Sequence, residues 1–61
     1  MYLVQRNNKT IAVKEDLGAA MADFAMEVFY ANQYIRANRY PHTWLRVIDE
    51  TSGKVEAYWV G

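Results

Sequence analysis

Side chains that could exchange protons, attack a substrate or hold a metal are scarce in this chain. The one histidine, His42, follows Pro41; the one serine, Ser52, precedes Gly53; cysteine is absent. Asp49 and Glu50 are adjacent, but they open the run Glu50-Thr51-Ser52-Gly53, a turn-forming composition in which acids serve local hydrogen bonding. Nucleophilic catalysis needs a nucleophile, a base and an orienting group together. Zinc needs three or four ligands of the right type. A single histidine without thiols meets neither requirement. The three glycines, Gly18, Gly53 and Gly61, are isolated, so no glycine-rich phosphate loop is present. The expectation is a chain that is not an enzyme and takes no metal and no cofactor.

A second chemistry is stacking combined with phosphate contact. Between Val28 and Ile48 there is no Asp or Glu, while Arg36, Arg39, Arg46 and His42 interleave with Tyr30, Tyr34, Tyr40 and Trp44. Arginine among aromatics suits single-stranded nucleic acid. Trp44, Arg46 and Tyr58 are the candidates for such a platform, if they share an exposed sheet face. Three arginines provide few phosphate contacts, Glu50 and Glu56 stand close by, and no ribonucleoprotein-type glycine-aromatic motif occurs. RNA or single-stranded DNA binding is therefore the secondary reading.

A third chemistry is apolar contact with another protein, and the residues for it fall in the run from Leu17 to about Asn38. Apolar residues recur there at Leu17, Met21, Phe24, Val28, Ala31 and Ile35, a spacing that makes one continuous helical stripe. Asp16 is the expected N-cap. Arg36 and Arg39 stand where cations suit a helix C-terminus. Pro41 stops the helix through its restriction on Tyr40, and Asn38 is a candidate left-handed cap. At about 100° per residue, the core stripe is Leu17, Met21, Phe24, Val28 and Ile35. The opposite side holds Ala22, Met26, Phe29, Tyr30 and Gln33, with Asp23, Glu27 and Tyr34 on a narrow flank. A helix covering one sheet is normally charged on its outer side. Met with aromatics in one patch is instead what interface centres favour. The candidate contact centre is Met26, Phe29, Tyr30 and Gln33, flanked by Tyr34, Arg36 and Arg39.

Two hairpins must support that helix. Tyr2 to Arg6 and Lys9 to Val13 flank Asn7-Asn8, and asparagine tolerates the left-handed backbone of a two-residue primed turn. Such a turn pairs Arg6 with Lys9, Val4 with Ile11 and Tyr2 with Val13. Tyr2, Val4, Ile11 and Val13 then share the core face, and Leu3, Gln5, Thr10 and Ala12 the outer one. Thr43 to Asp49 and Lys54 to Val60 form the second hairpin around a type I turn with Gly53 left-handed. Alternation sends Leu45, Val47, Val55, Ala57 and Trp59 inward. Trp44, Arg46, Ile48, Glu56 and Tyr58 face outward, with Arg46 beside Glu56 or Tyr58. The expected fold is α+β in the order ββαββ: a four-stranded, mainly antiparallel sheet of two hairpins with one long helix packed on one face. Strand order does not follow from the pattern.

Bulk composition narrows the function classes. At 61 residues the chain is one domain, of a size that buries only about 60% of its unfolded surface. The 52% apolar content argues against disorder, and seven basic residues balance seven acidic ones, so no strongly charged partner is implied. A helix of 22 residues spans about 33 Å, against about 20–23 Å for six- or seven-residue strands, so its C-terminal end should overhang the sheet. No apolar run approaches a membrane span and no signal peptide is visible, which with the lack of cysteine favours the cytoplasm. The leading expectation is a small non-catalytic interaction or regulatory protein, forming a homodimer or docking on a larger protein. Accessory proteins of phages and mobile elements are of this size and type. A structural subunit of a larger assembly is the remaining alternative.

Overall fold

The computed structural model describes the backbone of residues 1–36 and 43–61, and the side chains of residues 1–33 and 43–61. The order is β1 (Tyr2–Arg6), β2 (Lys9–Lys14), α1 (Leu17–Arg36), β3 (Trp44–Asp49) and β4 (Val55–Val60). The strands make one antiparallel sheet ordered β2-β1-β3-β4. This is the expected ββαββ architecture, with the strand order added. Because β1 is antiparallel to both neighbours, β2 and β3 run parallel with β1 between them. The helix is the crossover between them, and it packs on β1, β2 and β3, the parallel-strand connection that requires such a segment.

Local chemistry accounts for each turn. Asn7 and Asn8 have φ of 49° and 71°, the pair of positive values a two-residue primed turn demands. Asn7 does more than turn the chain: its Oδ1 accepts from the Trp44 amide at 2.9 Å, and its amide donates to the Trp44 carbonyl at 3.2 Å. That ties the tip of the first hairpin to the start of β3. In the second hairpin Gly53 has φ 76° and donates to the Asp49 carbonyl at 2.7 Å, while the Asp49 amide donates to Lys54 at 2.8 Å. Asp16 caps the helix as expected, its Oδ2 accepting from the Ala19 amide at 3.2 Å. The Asp16 carboxylate lies 3.0 Å from where a Cβ would stand on Gly18, so the glycine in the first turn leaves room for the cap.

The core lies between α1 and the two central strands. Val4, Ala20 and Val47 are fully buried in one cluster, with Tyr2, Ile11, Ala12, Leu17, Phe24 and Ala57 packed around it, and Leu45 is fully buried as well. Fully burying one aliphatic side chain of this size contributes about 1.5–3 kcal/mol. Across the helix–sheet rim Lys14 Nζ reaches Asp23 Oδ2 at 3.3 Å and Arg6 Nη1 reaches Glu27 Oε2 at 3.7 Å.

Three packing expectations are corrected. The first hairpin holds Arg6 opposite Lys9, but beyond Thr10 the register shifts: Val4 lies opposite Ala12 and Tyr2 opposite Lys14. Ile11 is the extra residue of a β-bulge, so Ala12 turns inward and Val13 outward. The second hairpin shifts in the same way between Val47 and Ile48, leaving Glu56 as the extra residue and placing Val55 opposite Ile48 on the outer face. Val55 is therefore not in the core. Third, the helix is turned by about 40° from the expected stripe: Ala20 is buried beside the expected Ala31, while Met21 is exposed. Small residues at the contact let the helix approach the sheet closely, and Asp23 and Glu27 come round to meet Lys14 and Arg6.

Candidate interaction surfaces

The outer side of α1 carries the residues that the sequence singles out. Met26, Phe29 and Tyr30 are 54%, 56% and 46% exposed, and Gln33 is exposed beside them. The Phe29 and Tyr30 rings meet edge to face with centroids 5.9 Å apart, a favourable aromatic geometry. The helix reaches this arrangement because its buried arc runs through Leu17, Ala20, Phe24 and Ala31, which leaves positions 26, 29, 30 and 33 on the far side. Of the flanking residues, Tyr34 and Arg36 lie within α1 with side chains outside the described residues. Arg39 lies outside them altogether, as do Asn38, Tyr40, Pro41 and His42. The expected C-terminal overhang falls on the same stretch.

Trp44, Arg46 and Tyr58 do come together on the open side of the sheet. Arg46 lies opposite Tyr58 across β3 and β4. The Trp44 and Tyr58 rings stack with centroids 6.1 Å apart, and the Arg46 guanidinium sits 5.1 Å from the Trp44 ring centre, within cation–π range. Glu56, the other expected neighbour, is the bulge residue, and its carboxylate lies 3.9 Å from Lys54 Nζ. Arg46 Nε donates to Gln5 Oε1 at 2.6 Å, and Gln5 in turn donates to Thr10 Oγ1 at 3.1 Å. The guanidinium is thus held by an amide and a ring inside the face.

No family model, curated protein or solved structure matches the chain.

The registers also reveal a surface that alternation alone conceals. Val13 pairs with Leu3, Leu3 with Ile48 and Ile48 with Val55. These four residues form an aliphatic row that crosses all four strands on the side away from the helix. One step along the strands, Thr10, Gln5, Arg46 and Tyr58 form a parallel polar row by the same registers. One step the other way, the Glu50 amide donates to the Met1 carbonyl at 2.9 Å, so the ladder continues to a row that carries Met1 and Glu50. Val13 and Val55, the ends of the aliphatic row, are 52% and 45% exposed. Unbroken alternation puts both on the core side, and only the two bulges bring them to this face. Nothing in the composition of β2 or β4 marks either bulge, because Ile11 and Glu56 have the residue types ordinary alternation also accepts.

Among the described residues no three His, Asp or Glu side chains are grouped to hold a metal ion. No helix among them is long and apolar enough to cross a membrane.

Proposed function

We propose that this chain is a small non-catalytic interaction domain that meets another protein through the outer side of α1, with a regulatory or accessory role in the cytoplasm. The observation that carries the reading is the exposure of Met26, Phe29 and Tyr30 together on a helix whose other side already covers the sheet. An apolar-aromatic patch has no use in the monomer, and patches of this composition mark contact sites. The partner is a larger protein or a second copy of the chain, and Tyr34, Arg36 and Arg39 are the residue types that would serve it as anchoring and steering groups. The lack of cysteine fits a reducing compartment.

Phe29→Asp tests this reading, because an exposed helical position tolerates the change with a stability effect within about 0.5 kcal/mol. The expected result is a folded variant by circular dichroism that loses partners retained by the wild type in affinity capture from the native host. Identical capture by the two proteins would remove the helix face from consideration.

The stacked Trp44–Tyr58 pair with Arg46 supports nucleic-acid binding as a second reading. It ranks lower because Arg46 is the single cation of that cluster and phosphate contact grows with the number of positive charges brought to the strand. Binding of labelled single strands that weakens steeply with salt would raise it; no binding at low salt would dismiss it.

A further inference from the structure

We infer that the open face of the sheet is a self-association surface, closed by a second copy packed face to face about a two-fold axis along the row Val13–Leu3–Ile48–Val55. This is independent of the helix patch, which it leaves on the outside of the pair.

Charge placement identifies the occupant. Arg46 and Glu50 lie on β3 and its continuation, two residues to either side of Ile48 and on the same face by alternation. Rotation by half a turn about the aliphatic row exchanges the two sides while keeping β3 over the partner's β3. Each Arg46 then faces Glu50 of the other copy, twice per dimer, while the aliphatic row meets its own copy. Gln5 faces Met1 in the same way. An isologous interface must be self-complementary in this sense, and a face with one cationic and one acidic end around an apolar middle satisfies it. Sheets stacked face to face keep their strands within about 30° of alignment, which preserves the row-on-row contact near the axis.

The other route by which a sheet recruits strands is closed. The bulges at Ile11 and Glu56 fall on the two edge strands, and Lys9, Lys14 and Lys54 stand on or beside them. Bulges and edge lysines oppose edge-to-edge pairing. The same bulges that spoil the edges supply Val13 and Val55 to the face.

Size sets the strength. Four strands about 4.8 Å apart and about 20 Å long give a flat footprint of roughly 400 Å² per copy. That is about half of the roughly 800 Å² per partner that standard specific interfaces bury, so the dimer is weak and transient and is sought from micromolar concentrations upward.

The test is sedimentation velocity of the full chain across that range, with circular dichroism to confirm the fold of each variant. Val13→Lys with Val55→Lys changes two exposed side chains and sets like charges opposite their own copies, so self-association should fall by more than about tenfold. Glu50→Lys alone and Arg46→Glu alone should each weaken the dimer, and the two together should restore it. Phe29→Asp should leave it intact. A wild type that stays monomeric throughout overturns the inference. So does a dimer that survives the double lysine variant, one that Phe29→Asp dissociates, or a charge-reversal pair that shows no rescue.

Discussion

Leu45 and Ile48 stand three residues apart on one strand, and their surroundings have little in common. Leu45 is fully buried, on the same side of β3 as Val47 and the helix by alternation. Ile48 lies on the opposite side in a row of aliphatic residues that no described element covers. Both faces of the sheet carry aliphatic side chains; what separates those side chains is where the helix crosses and where the strands bulge. A face rich in Val, Leu and Ile is thus not by itself a core. It becomes one only when another element's stripe is laid over it, and in this chain one helix serves one face. The uncovered face is then available for association.

The sharpest way to break this comparison is to truncate both residues. Leu45→Ala should cost about 2–5 kcal/mol, a large share of the 5 or so expected for a domain this small. Chemical denaturation would then show a midpoint moved far toward zero denaturant, with up to about half of the variant unfolded at room temperature at the upper end of that cost. Ile48→Ala should cost less than about 1.5 kcal/mol in dilute solution, because its methyl groups are only partly removed from water. If a second copy covers the open face, the cost of Ile48→Ala will rise with protein concentration, since binding to the folded state adds to stability by mass action. Equal costs for the two truncations at low concentration would refute the distinction between the faces.

A smaller effect tests the rotation of the helix over the covered face. Ala20 is fully buried against the sheet and Ala25 is exposed on the far side. Ala20→Leu should destabilise by about 1–3 kcal/mol through overpacking, whereas Ala25→Leu should stay within about 0.5 kcal/mol. A tolerated Ala20→Leu would mean that Met21 packs where the spacing pattern puts it. The smallest effect belongs to the rim. Lys14→Ala removes the 3.3 Å contact with Asp23, but both side chains are substantially exposed, so the loss should be no more than about 0.5 kcal/mol. It should vanish in high salt; a larger, salt-insensitive loss would show that the Lys14 stem, not its charge, seals the edge of the core.

Much of this architecture is legible in the chain. Asn7-Asn8 marks a primed turn because few residues accept positive φ twice in succession, and Gly53 marks the second turn for the same reason. Asp16 marks the start of a helix whose period is plain from Leu17 onward. The helix patch at Met26, Phe29 and Tyr30 was also legible, because three large apolar residues opposite a sheet-facing stripe have no partner in a two-layer fold. The Trp44–Arg46–Tyr58 cluster followed from alternation within one hairpin. These features depend on residues close in sequence, where backbone sterics and side-chain periodicity act directly.

What tertiary structure alone decided is the placement of strands and the facing of their outer halves. The order β2-β1-β3-β4 depends on contacts between residues some forty positions apart, for which local pattern carries no term. A bulge costs one residue of register, and a one-residue slip exchanges the two faces of a strand. Val13 and Val55 therefore left the core for the open face without any change in the pattern that placed them inside. The choice of Ala20 over Met21 was likewise made by close approach of helix to sheet, which favours the smaller side chain and turns the helix to match. The local elements are the chain's own; which of its apolar surfaces are inside was settled only when those elements met.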